Sequence, residues 1–372
     1  MTRYRDLGLN VGLVQPGPLN AITDVAGVKV GMTTLIEGEG PLARGRGPVR
    51  TGVTVIMPTE RIGPEVVFAG CHRLNGNGEL TGLEWIRESG MLSTPVAITN
   101  THSVGVVRDA LVANEVAGHE GHDSFWSLPV VGETYDGALN DMNGFHVRPE
   151  HVDDAIRSAT SGPVPEGNVG GGTGSICHEF KGGTGTASRR VSGWTVGALV
   201  QANYGRRERL TVDGVPVGRE IPLAAVASAW DEEERVAKAA AGSIIVVLAT
   251  DAPLLPHQLE RLAQRAGLGV ARAGGGGEHT SGDLFLAFST GNIGNLDSYK
   301  VDDASSDPID VAMLPDASIT DLFWAAIEAT EESILNALVA AQTITGRDDI
   351  TAHALPHDEL VEIMTRYGRG PA

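Results

Sequence analysis

The chain has 372 residues, a formal net charge of −19 and only two cysteines, Cys71 and Cys177. The acidity argues against binding to phosphate backbones or anionic membrane surfaces, and the cysteine count excludes a disulfide framework. No apolar run is long enough for a membrane span, and Met1-Thr2-Arg3-Tyr4-Arg5-Asp6 does not open a signal peptide, so a cytoplasmic protein without nucleic-acid or membrane partners is expected.

Strand-like patterning runs from Ile22 to about Met57, with alternation at Val28–Met32 and again at Gly52–Met57. Val66–Gly70 and Val96–Thr99 read as further strands, and Ser103–Val116 and residues 148–158 as helices. A glycine-rich region covers 165–190, followed by a strand at Gly193–Val200 and a charged run from Asp231 to Arg235 that suits an exposed linker. Ile244-Ile245-Val246-Val247-Leu248 has no polar face, as in a strand buried on both sides. Asp251-Ala252-Pro253 signals a helix start, with Gly267 as its end. A strand at Leu284–Phe288, a helix at Ile319–Thr343 and a last helix near His357-Asp358 complete the series. No Pro/Ser-rich linker divides the chain. The expectation is one α/β domain over 1–372, with two sheets stacked and helices outside.

Gly242-Ser243 stands at the mouth of the fully apolar strand. If the chain breaks between them, Ser243 carries a hydroxyl and a free α-amine, whose ordinary pKa of about 7.7–8.0 suits a general base. The competing reading is a simple turn. Ser281 and Asp283, two apart on extended backbone, face one side and can pass a proton, or they mark a turn. Asn203, at a strand end, offers a rigid amide donor for an oxyanion, or belongs to an Asn turn. Glu133 lies in a polar stretch beside an apolar run and can pair with a substrate ammonium, or carries nothing.

Other motifs fail on detail. Gly170–Ser175 and Lys181–Thr186 lack the Gly-Lys-Ser/Thr of a phosphate loop and read as tight turns or cleft-lining amides. Gly274–Gly277 matches no dinucleotide fingerprint. His119-Glu120-Gly121-His122-Asp123 brings its second histidine one residue too early for a metalloprotease helix, so no metal site is assigned.

Taken together, Gly242-Ser243, Ser281-Gly282-Asp283 and Asn203 resemble the DmpA-type family of L-aminopeptidase/D-Ala-esterase-amidases and β-peptidyl aminopeptidases. The resemblance also runs through Gly17-Pro18-Leu19-Asn20-Ala21-Ile22-Thr23-Asp24-Val25, Gly76-Asn77-Gly78-Glu79-Leu80-Thr81-Gly82 and His178-Glu179-Phe180-Lys181-Gly182-Gly183-Thr184-Gly185. It implies a four-layer αββα sandwich with the layout of N-terminal-nucleophile and ornithine-acetyltransferase-like proteins. It further implies self-cleavage into chains of 1–242 and 243–372, with Ser243 as nucleophile. By the same resemblance, Ser281 and Asp283 assist proton transfer, Asn203 holds the oxyanion with Tyr135 as second candidate, and Glu133 recognises the substrate amine. Substrates are small peptides, amides or esters with a free amino terminus. No cofactor or metal is implied, and the assembly is a homotetramer of αβ units. Two other readings are an ornithine-acetyltransferase-type N-acyltransferase, which is expected to carry Thr in place of Ser243, and an acidic binding protein with Gly242-Ser243 as an inert turn.

Overall fold

The computed structural model describes residues 1–60, 65–119, 124–231, 233, 241–296 and 308–371. Strands β1 (Lys29–Glu37), β2 (Val49–Met57), β5 (Val96–Asn100) and β6 (Val130–Thr134) form a four-stranded sheet in the order β1-β2-β5-β6. A six-stranded sheet has the order β4-β3-β12-β11-β10-β9, from Met91–Leu92, Val67–Gly76, Thr280–Ser289, Ala241–Thr250, Trp194–Asn203 and Gly183–Val191. A short hairpin, β7 (Ile176–Cys177) with β8 (Phe180–Lys181), precedes β9.

The lack of a polar face on β11 follows from its position. Ile245, Val247 and Ala249 point toward the smaller sheet and meet Ile56, Val96, Ile98 and Val130. Ile244, Val246 and Leu248 point the other way, among side chains of helices α5 (Pro256–Arg272) and α6 (Thr320–Val339). On the far side, α2 (Val104–Ala117) and α3 (Pro149–Arg157) cover the smaller sheet through Val107, Leu111, Val152 and Ala155. Helix, sheet, sheet and helix therefore stack in the expected αββα order. Burying apolar side chains on both faces of a strand is what removes its alternation.

Several local readings change. The helix placed at Asp251 begins only at Pro256, because Ala252 and Leu254 are buried in a connecting turn. It continues past Gly267 to Arg272. The run is uninterrupted because glycine here serves packing. A Cβ on Gly269 would lie 2.6 Å from Thr330 Cβ and 2.7 Å from the Ile327 carbonyl oxygen, so α5 and α6 meet nearly backbone to backbone. Residues 181–186 are no loop, since Thr184 and Thr186 belong to β9. Ser281-Gly282-Asp283 likewise lies inside β12 rather than before it. Apart from Asp231 and Glu233, the charged run at 231–235 lies outside the described residues, as does all but His119 of the His119–Asp123 motif.

Candidate active site

Three strand ends converge on Ser243. In the antiparallel pairing of β10 with β11, Asn203 stands directly opposite Ser243. In the parallel pairing of β11 with β12, Ser243 stands opposite Gly282, with Ser281 and Asp283 on either side. Buried strands in a sheet fix such positions closely. The Ser243 hydroxyl donates to the Gly242 carbonyl oxygen at 2.6 Å and accepts from the Gly282 N–H at 3.2 Å. A Cβ at position 242 would lie 2.9 Å from Tyr204 Cα and 3.2 Å from the Asn203 carbonyl oxygen. The backbone of β10 approaches too closely for any residue but glycine before the serine.

Asn203 is buried, and its Oδ1 accepts from the Ile176 N–H at 2.8 Å. That contact fixes the orientation of the amide and leaves the Nδ2 hydrogens to the cavity that Asn203 shares with Ser243. The Ser281 hydroxyl donates to Asp283 Oδ1 at 2.6 Å, so the aspartate reaches its serine despite its short side chain. Both are buried, and Asp283 Oδ2 has no hydrogen-bond partner. Burial pushes the Asp283 carboxyl up to about 6, against the opposing effect of the Ser281 hydrogen bond. The Ser281 hydroxyl is committed to Asp283, and the N–H of Gly282, between the two, donates to the Ser243 hydroxyl.

Glu133, on β6, is 3% exposed. Its Oε1 accepts from the Glu79 N–H at 3.1 Å and its Oε2 from the Thr101 hydroxyl. Burial raises its pKa, which these two donors partly counteract. Glu133, Ser243, Asn203 and Tyr135 all line one cavity of about 650 Å³. Ala138, Ile176 and Trp230 supply apolar wall. Tyr135 lines the same cavity and is 48% exposed. The floor thus pairs a hydroxyl and an amide donor with a buried carboxylate, the groups needed to attack an acyl carbon beside a cationic amine. Among the described residues, no group of three His, Cys, Asp or Glu side chains is placed to hold a metal ion.

Thr101, Glu79 and Ile176 escaped the sequence reading as site residues. Thr101 follows the β5 strand immediately, a boundary visible in sequence. Nothing there couples it to Glu133, because the parallel register of β5 and β6 is a tertiary fact. The glycine-rich turn at Gly170–Gly174 does not line the cavity and is instead buried.

The sequence pattern of peptidase family S58 matches residues 20–352. The chain belongs to peptidase family S58. It is 51% identical to the beta-peptidyl aminopeptidase BapA of Sphingosinicella microcystinivorans over 381 aligned residues, covering 99% of this chain and 93% of that protein. Among solved structures, a Burkholderia sp. beta-aminopeptidase superposes with a TM-score of 0.90 at 52% identity, covering 99% of each chain. The L-aminopeptidase D-Ala-esterase/amidase of Ochrobactrum anthropi, described as a prototype of the serine aminopeptidases and a variant of the Ntn hydrolase fold, gives a TM-score of 0.90 at 46% identity over all of both chains. This S58 peptidase is accordingly a serine aminopeptidase on that fold. The acyltransferase and inert-binding readings fall away. No helix among the described residues is long and apolar enough to cross a membrane.

Proposed function

We propose that this peptidase matures by cutting its own Gly242–Ser243 bond and then uses Ser243 to release N-terminal residues from peptides, amides or esters with a free amino terminus. In maturation, Ser243 Oγ attacks the Gly242 carbonyl carbon. The C–N bond breaks, the nitrogen takes up the hydroxyl proton, and an ester joins Gly242 to Oγ. Water hydrolyses the ester, leaving a Gly242 carboxylate on residues 1–242 and a free amine and hydroxyl on Ser243 of residues 243–372.

In turnover, the Ser243 amine accepts the proton of Oγ as Oγ attacks the substrate carbonyl. Asn203 Nδ2 donates to the oxyanion, and the Ser281–Asp283 pair assists proton transfer to and from the amine. The leaving amine departs with the proton. Water then hydrolyses the acyl ester and restores the serine. Glu133 holds the substrate ammonium, and Tyr135 is the second candidate to hold the oxyanion. The observation that carries this reading is the placement of Asn203 opposite Ser243 in the cavity that also holds Glu133. The names of relatives at 51% and 52% identity make N-terminal β-amino acid residues the first substrates to test. The family resemblance extends the proposal to a homotetramer of αβ units, a single domain over 1–372 and a cytoplasmic location.

Intact-mass measurement of the purified protein tests the scheme. Two chains divided before Ser243 are expected, with Ser243→Ala remaining whole. Normal cleavage of Ser243→Ala, or full activity in an unbroken chain, refutes it.

A further inference from the structure

Lys181 is a buried amine that the reaction leaves unused. Its side chain is fully enclosed, and among the described residues it forms no ion pair. The Nζ donates instead to three backbone carbonyls, those of Ser175 at 2.6 Å, Gly182 at 2.6 Å and Gly172 at 3.4 Å. Burial pushes its pKa down to about 7. Enclosing a lysine amine with no carboxylate in direct ion-pair contact, only Cys177 and Asp136 acting on it through space, opposes folding, so what it holds in place is informative.

What it holds is the support of Asn203. Gly172 lies in the buried Gly170–Gly174 turn, and Ser175 directly precedes Ile176, the residue whose N–H donates to Asn203 Oδ1. Two residues on, the His178 N–H donates to the Tyr204 carbonyl oxygen at 2.7 Å, so the hairpin lies along the end of β10. Ile176 and Lys181 face each other across this hairpin. Its two turn residues, His178 and Glu179, have φ values of +49° and +62°, a region L side chains avoid. Arg207 grips the turn from outside, donating to the carbonyl oxygens of His178 at 3.3 Å and Glu179 at 2.9 Å. Arg207 thus holds the hairpin's turn, while the hairpin's own Lys181 ties its second strand to the Gly172–Ser175 turn.

We infer that Lys181 is a positioning residue for acyl transfer: by gathering the carbonyls of the Gly172–Ser175 turn and Gly182, it fixes the Ile176 N–H on Asn203 and thereby aims the Asn203 amide at the oxyanion. The inference rests on the role proposed above for Asn203. Lys181 itself does not line the cavity that holds Ser243.

The test is a double-mutant cycle on Lys181→Met and Asn203→Ala, with kcat normalised to the number of freed Ser243 amino termini. Lys181→Met is expected to lower kcat by on the order of ten- to a hundredfold, less than outright loss of an oxyanion donor, with KM changed by no more than about twofold. The double variant is expected to be no slower than Asn203→Ala alone. Losses that multiply, an unchanged kcat in Lys181→Met, or a change confined to KM overturn the inference while leaving the role of Asn203 intact. An unchanged kcat in Asn203→Ala instead overturns the proposed oxyanion role, and the inference with it. If Lys181→Met does not fold, Lys181→Gln, which keeps two donor hydrogens without the charge, enters the same cycle with the same criteria.

Discussion

Asn203 and Ser243 are register partners across β10 and β11, so the proposed oxyanion donor and nucleophile are held by adjacent strands rather than by loops. The Ile176 N–H fixes which end of the Asn203 amide faces the cavity. Asn203→Ala is expected to lower kcat by about 10²–10³, some 3–4 kcal/mol, with little effect on KM. Steady-state kinetics on a β-aminoacyl anilide checks this. A loss carried by KM alone would contradict it.

Glu133 is buried and already holds the Glu79 N–H and the Thr101 hydroxyl, so its carboxylate is preorganised rather than mobile. Glu133→Gln keeps the shape and removes the charge. The expected loss is about 2–4 kcal/mol in kcat/KM for a substrate with a free amine. An N-acetylated substrate, which has no ammonium for Glu133 to hold, should lose much less. Equal losses on both substrates would remove Glu133 from amine recognition.

Asp283 has its pKa raised by burial from 3.8 to about 6. Between those values the folded chain binds more protons at this site than the unfolded chain, so the site's contribution to stability falls as pH rises through that window. The penalty is complete above about pH 6 and reaches about 3 kcal/mol at most. Asp283→Asn in the uncleaved Ser243→Ala background removes it. The stability difference between the two proteins, from urea denaturation, should therefore favour the asparagine form increasingly from about pH 4 to pH 6 and then level off. A difference independent of pH would show that Asp283 titrates normally.

Gly242 faces the backbone of Tyr204 at a distance that leaves no room for a Cβ, whereas Gly105, inside α2, meets nothing within 4 Å. Gly242→Ala should slow self-cleavage at least about tenfold and destabilise the precursor by about 1–3 kcal/mol. Gly105→Ala should instead stabilise the protein by up to about 1 kcal/mol through helix propensity. A time course by intact mass, with thermal melts on both variants, separates the two effects.

Much of this architecture is legible in the sequence. Helix spacing in α2, α3 and α6 survives in sequence because each helix buries one stripe or more against a sheet. The unbroken apolar run of β11 announced a strand covered on both faces. Boundaries were less legible where tertiary packing overrides a local signal. Gly267 reads as a stop, yet α5 continues for five more residues, with Gly267 facing Phe285 and Leu74 of the six-stranded sheet and Gly269 packed against α6. Ser281-Gly282-Asp283 reads locally more as a turn than as strand, and pairing with β11 and β3 extends it.

The four-layer αββα order was implied by the family resemblance; the sequence itself carried two stacked sheets with helices outside, the candidate serine with its glycine, and the presence of Ser281, Asp283, Asn203 and Glu133. Those are properties of residue type and local spacing, which the chain carries wherever it goes. The tertiary structure alone decided that Thr101 supports Glu133, that Ile176 orients Asn203, and that Lys181 ties the glycine turn beneath them. Such contacts join residues far apart along the chain through sheet register and buried hydrogen bonds, and neither periodicity nor composition records which strand lies beside which.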